Sequence, residues 1–167
     1  MNNKVFITFN PDIKIEESTA LRLQTISSLY GIAVDLPARV AIGHKDITKR
    51  RIMDSGIVVC FALSKKLSSE MKFDLETAMN AKKPILVIYD KHQDEVIDFN
   101  NYPYLKKVKI DYSNSNTALD EIAAFLKQTI EKSKPQKAVK SDNTPALLAL
   151  LGIGVGLLAL FALSKQK

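Results

Sequence analysis

The chain reads as an α/β protein: an open, mostly parallel five-stranded sheet with helices on both faces, followed by one C-terminal transmembrane helix. Three observations predict this. Gly56–Leu63 and Pro84–Tyr89 are unbroken apolar runs of strand length, rich in β-branched residues, and strands that do not alternate are buried on both faces. Between them Leu67, Met71, Leu75, Ala78 and Met79 recur at three- and four-residue spacing, which marks one face of a helix, and two strands joined through a helix are normally parallel. Finally, no polar side chain occurs from Ala146 to Leu163. At about 1.5 Å per residue that run spans roughly 27 Å, close to the hydrocarbon core of a bilayer.

The 167 residues suffice for one domain and a tail, and 46% apolar with 25% charged residues is ordinary for a globular domain. The net charge of +6 is unevenly placed. Five lysines and one aspartate lie in 133–167, so only +2 of it belongs to residues 1–132. Nucleic-acid binding needs a clustered basic patch, and only Lys45–Arg51 approaches one; it reads as a solvated helix start. The lone cysteine, Cys60, falls inside a buried strand, which excludes a disulfide within the chain and suits a small core residue. The opening MNNKVFITFN runs straight into a strand and does not read as a secretory leader.

In order, Lys4–Phe9 is the first strand, and Asn10-Pro11-Asp12 breaks it with turn residues. Glu16–Tyr30 is a helix with Leu21, Leu23, Ile26 and Leu29 on its apolar face, stopped by Gly31. Ile32–Leu36 is a short second strand. Pro37–Lys45 is a loop punctuated by Pro37 and Gly43, and Asp46–Ser55 is a short helix with Asp46 as a cap and Ile47, Ile52 and Met53 facing inward. The strand–helix–strand unit Gly56–Asp90 follows. A short helix is expected around Asp94–Phe99 and a turn over Asn100–Tyr104. Lys107–Asp111 alternates like an edge strand, and Leu119, Ile122, Ala123, Leu126 and Ile130 make Thr117–Lys132 an amphipathic helix. Binding sites in such sheets lie at the carboxyl ends of the strands. Here those ends carry Asn10–Asp12, Leu36–His44, Ser64–Ser69 and Asp90–His92.

Residues 1–132 thus form the domain, 133–144 a polar, lysine-rich linker, 145–164 the membrane helix and 165–167 a short tail. Lysines 132, 134, 137 and 140 precede the helix and 165 and 167 follow it, so the positive-inside bias places the domain in the cytoplasm on a single-pass anchor. Gly152 and Gly156 form a GxxxG, a candidate contact face for self-association.

Four stretches resemble a TIR (Toll/interleukin-1 receptor-like) domain of the short bacterial type. VFITFN at Val5–Asn10 resembles the opening strand of that family. GIAVDLPARVAIG at Gly31–Gly43 resembles its second strand and the loop after it. ITKRRIMDSGIVVCFALS at Ile47–Ser64 resembles its short helix and third strand, and FDLETAMNAKKPILVI at Phe73–Ile88 resembles its third helix and fourth strand. The resemblance covers residues 4–132 and implies a flavodoxin-like sheet. It also implies cleavage of NAD, as substrate rather than cofactor, at the nicotinamide–ribose bond by one glutamate on the third helix, with a role in antiviral defence signalling. The matching position holds Asp74, one methylene shorter, by about 1.5 Å. Glu70 lies one helical turn back on the same side and is the supporting acid; Glu76 lies about 200° around the helix from Asp74 and cannot replace it. The resemblance places Phe9, Asn10, Asp35 and Arg39 along the nucleotide pocket, with the 37–44 loop closing it or mediating self-association.

The chemistry asks for little else. Breaking the bond from C1′ to nicotinamide builds positive charge on the ribose, which a carboxylate stabilises or traps covalently. Two acids one turn apart can divide the roles, one ionised and one with a raised pKa. The plain alternative for Asp74 and Glu70 is a solvated helix face near Lys66, Lys72 and Lys82.

Other readings fare differently. A response-regulator receiver needs an aspartate at the end of the third strand, where this chain has Ala62-Leu63-Ser64. A dinucleotide fold lacks its GxGxxG, and His44 and His92 are too sparse for a metal site. A nucleoside deoxyribosyltransferase-like enzyme, which would also set a carboxylate against a ribose, is the distant alternative. The serious one is a non-catalytic TIR adaptor assembling at the membrane. Position 74 discriminates between enzyme and adaptor.

Overall fold

In chain order the elements are β1 (Lys4–Phe9), α1 (Lys14–Ser27), a 3-10 turn (Ser28–Tyr30), β2 (Ala33–Asp35), α2 (His44–Asp54), β3 (Ile57–Ala62), α3 (Ser69–Asn80), β4 (Ile85–Asp90), β5 (Leu105–Ile110) and α4 (Thr144–Ser164). The computed structural model describes residues 4–40, 42–63, 67–90, 102–111, 120, 121, 124 and 144–164, with α4 side chains described to residue 157 apart from 144 and 147. The expected helix at 94–99, most of the one at 117–132 and nearly all of the linker lie outside the described residues.

The five strands form one sheet in the order β2-β1-β3-β4-β5, and every neighbouring pair is parallel. This is the flavodoxin-like order, whose direction switches between β1 and β3. Both faces are covered, which is why β3 and β4 need no polar alternation. On one face Val5, Ile7, Val59 and Ile88 pack against α1 and α4. On the other, Phe6, Val58, Cys60 and Val87 pack against Ile52 of α2 and Met71, Leu75 and Ala78 of α3. The outer strand β5 carries Lys106, Lys107 and Lys109, charges that discourage pairing at an open sheet edge.

Two helix faces differ from the sequence expectation. In α1 the buried residues are Glu16, Thr19, Ala20, Leu23 and Ser27. Leu21 and Leu29 are 48% and 82% exposed. The inward stripe keeps helical spacing but uses small and polar residues, because a second helix crosses there and needs close approach. In α2, Ile52 and Thr48 turn inward, whereas Met53 is exposed. Asp46 is not the cap of α2; Gly43, with φ of 74°, holds that position. Gly31, with φ of 66°, ends the 3-10 turn as the helix stop read from the sequence requires.

The C-terminal apolar segment is a 21-residue helix, Thr144–Ser164. Leu150, Leu151 and Val155 are buried in the same core as Leu23 of α1. Among the residues whose side chains are described, no helix is long and apolar enough to cross a membrane. The uninterrupted apolar sequence runs on to Leu163, beyond the last described side chain at residue 157.

Candidate active site

The two-residue period of β1 divides its side chains between the layers. Phe6 and Thr8 face α2 and α3, while Val5, Ile7 and Phe9 face α1 and α4. Ser68 caps α3, its side chain accepting the Met71 N–H at 3.2 Å. From there Met71, Leu75 and Ala78 lie on the sheet, and Asp74 belongs to the same stripe. The helix therefore carries this carboxylate under itself, against the carboxyl end of β1.

Asp74 has no solvent exposure. Thr8 Oγ1 donates to its Oδ2 at 2.6 Å. Arg39, reaching in from the loop after β2, donates from Nη2 to the same oxygen at 2.9 Å. Both donors thus fall on Oδ2. Among the described residues Asp74 Oδ1 and Arg39 Nε are buried without a hydrogen-bond partner. Burial pushes the Asp74 carboxyl above the usual carboxylate range; the Thr8 hydroxyl and the Arg39 guanidinium pull it back, and the Glu70 charge adds to the rise. Glu70 moves the other way. It lies in the first turn of α3, where its own backbone N–H and then the Ser69 hydroxyl, 3.0 Å away, hold it below the usual range.

The loop that brings Arg39 is fastened to α2. Thr48 Oγ1 accepts the Ala38 N–H at 3.0 Å, and Arg51 Nη1 donates to the Leu36 carbonyl at 2.6 Å. Past Arg39 the loop turns outward, and Val40 and Ile42 are fully exposed.

A second buried carboxylate stands on the other face. Glu16, in the first turn of α1 and without exposure, accepts the Asn10 N–H on Oε2 and the Leu63 N–H on Oε1, each at 2.7 Å. Asn10 and Leu63 follow the ends of β1 and β3, so Glu16 ties the two strands together at the switch point. In flavodoxin-like sheets that crevice receives the ligand, and strand-end and helix-start N–H groups suit an anion. Here a carboxylate of the chain itself takes two of those donors. Among the described residues no group of three or more His, Cys, Asp or Glu is placed to hold a metal ion.

Of the residues singled out by sequence, Asp74 and Arg39 meet directly. Asp35 pairs in register with Phe6, so it faces the same layer as Thr8 one pleat further from the strand end. Phe9 is buried on the opposite face, in the α1 core. Asn10 is spent on the turn: its Oδ1 accepts the Asp12 N–H at 3.0 Å and its backbone N–H goes to Glu16. Sequence reasoning missed Thr8 and Glu16. Each had a signal: Thr8 is the one hydroxyl in the apolar run after Lys4, and Glu16 stands seven residues before Leu23, on the same helix face.

No family model and no curated protein matches the sequence. Solved structures do. The CMP N-glycosidase BcmB of Clostridium botulinum matches with a TM-score of 0.50 at 12% identity, over 64% of this chain and 88% of that one. The Flv1 flavodiiron core from Synechocystis has a TM-score of 0.49 at 13% identity, covering 78% of this chain and 36% of that one. A flavodoxin-like domain from Synechococcus has a TM-score of 0.47 at 15% identity, covering 89% and 99%. At these identities the likeness concerns fold alone. The strand order makes this chain a flavodoxin-like α/β protein.

Proposed function

We propose that this chain is a membrane-anchored, TIR-like protein that binds NAD or a related nucleotide and cleaves it at the bond between ribose and base. The observation that supports this reading best is the Asp74 carboxylate, buried at the carboxyl end of β1 with both donors on Oδ2 and with Oδ1 bare. In the reaction the C1′–N bond breaks and its electron pair leaves with nicotinamide, which departs neutral. Oδ1 stabilises or traps the positive charge left on C1′, and water supplies the oxygen that completes the product and releases a proton. Thr8 and Arg39 hold the carboxylate in place and oppose the rise that burial imposes on its pKa. Glu70, held below the usual carboxylate range at the helix start, adds negative charge toward the cation that develops on C1′. Access requires the Arg39 loop to release, because Asp74 is sealed in this structure. Segment 145–164 holds the domain at the membrane, facing the cytoplasm, and a part in antiviral defence signalling fits such a tethered nucleotide-cleaving domain.

The seal also favours a second reading. An ion pair that leaves the carboxylate no exposure suits a scaffold whose working surface is the exposed loop bearing Val40 and Ile42. The test is nicotinamide release from NAD by the full chain, concentrated to favour assembly, with CMP as a rival substrate because the similar glycosidase is named for it. Asp74→Asn is the control. Release that falls by about a hundred- to thousandfold or more in the mutant supports the enzyme. No release from assembled wild type, with turnover appearing in Asp74→Glu, supports the scaffold.

A further inference from the structure

Helix α4 combines two properties that one seat does not explain. Its stripe of Leu150, Leu151, Gly154 and Val155 is buried against the domain. Gly154 makes that approach possible: a Cβ placed on it would stand 2.9 Å from Leu23 Cδ1 of α1. Yet the face turned away is just as apolar. Ala149 is exposed and Leu157 only partly covered, while Ile153 packs at the edge of the buried stripe. A helix that merely covers a soluble domain carries polar residues outward; one apolar on all sides belongs in a core or a bilayer. The 21 residues of α4 extend about 31 Å, the thickness of the hydrocarbon core.

We infer that α4 is a stowed membrane anchor: the α1 face of the domain and a lipid bilayer are alternative seats for the same helix, and the Gly154–Leu23 contact holds it on the domain. This rests on reading 145–164 as the membrane segment. On the domain α4 buries one stripe and, among its described side chains, leaves Ala149 in water and Leu157 partly so. In the bilayer the whole helix is covered, but Leu23 and its neighbours lose their lid. Attachment to the membrane is then conditional, and the freed α1 face appears only in the inserted state.

Gly156 supplies a matched control, since nothing lies within 4 Å of the place its Cβ would take. Gly154→Leu and Gly156→Leu add the same side chain to the same helix, and only the first collides with Leu23. The full chain is mixed with vesicles of phosphatidylcholine and phosphatidylglycerol and floated on a density gradient. Gly154→Leu raises the ratio of bound to free protein about tenfold over Gly156→Leu at equal lipid, as forced overpacking does, both variants gaining alike from the added leucine in lipid. In parallel, maleimide labelling follows Leu23→Cys, the native Cys60 being buried. The new thiol is protected without vesicles and reacts in the vesicle-bound protein. Equal partitioning of the two glycine variants overturns the inference but leaves the anchor standing, as does a thiol that stays protected on bound protein. Failure of every variant to float overturns both the inference and the membrane reading.

Discussion

Glu16 and Asp74 are both carboxylates without solvent exposure at the carboxyl ends of this sheet, set on opposite faces. Glu16 gives one oxygen to each of two backbone N–H groups, from Asn10 and Leu63. Those donors are fixed by the strands that carry them and cannot turn elsewhere without unfolding. Asp74 is held by side chains, and both grip the same oxygen, leaving the other bare. One donor, Arg39, rides on the loop after β2 rather than on a strand. Burial alone therefore does not separate a structural carboxylate from one proposed to react. What separates them is how the donors are shared between the oxygens, and whether those donors are backbone or side chain.

The largest expected effect is on stability. Glu16→Ala strands the buried Asn10 N–H and the part-buried Leu63 N–H and should lower unfolding free energy by about 2–4 kcal/mol in a urea titration. Asp74→Asn, by contrast, should be no less stable than wild type at neutral pH, because it removes a buried charge and keeps the shape. Equal losses in the two variants would erase the distinction.

Smaller, and aimed at the grip on Asp74, is Thr8→Val. It deletes a hydrogen bond to a charged group and should cost about 1.5–3 kcal/mol in the same assay. Because the Thr8 hydroxyl pulls the Asp74 carboxyl down, the acidic limb of any pH–rate profile should also move to higher pH; Arg39→Ala should move it the same way. A limb that stays put in both variants would mean that Asp74 is not the titrating group.

A third comparison uses pH and stability. Asp74 has a raised pKa in the folded protein, so the folded state keeps its proton after the unfolded state has lost it. Its contribution is fully present below the ordinary aspartate value of about 3.9 and is lost as pH rises through the folded value. The stability of wild type relative to Asp74→Asn should accordingly fall across that window; a flat difference would contradict the raised pKa. The smallest effect belongs to Glu70→Gln, a substitution at the rim of the site that should change stability by less than about 0.5 kcal/mol.

Much of this arrangement was legible in the linear chain. The apolar runs of β3 and β4 announced a doubly covered parallel sheet, and the spacing of Met71, Leu75 and Ala78 placed α3 on it. Asp74 was singled out as a candidate, and the structure puts it against Thr8 and Arg39. What escaped was orientation. Leu21 and Leu29 were expected inward and stand outward, because the face that α1 buries is chosen by the sheet and by α4 rather than by the helix's own largest side chains.

Among the described residues, sequence by itself determined which segments are strands and helices and that the sheet is buried on both sides, and it determined that the last segment is apolar throughout. These follow from periodicity and composition, which act over a few neighbouring residues. Tertiary structure decided the partners. Thr8 and Asp74 are 66 residues apart, Glu16 and Leu63 are 47 apart, and Arg39 and Asp74 are 35 apart. A polar group buried at such a junction must find its donor across the fold, and which donor arrives depends on strand order and register. That is why Glu16 looked like an ordinary helix start, and why the seat of α4 beside Leu23 was visible only once the sheet had assembled.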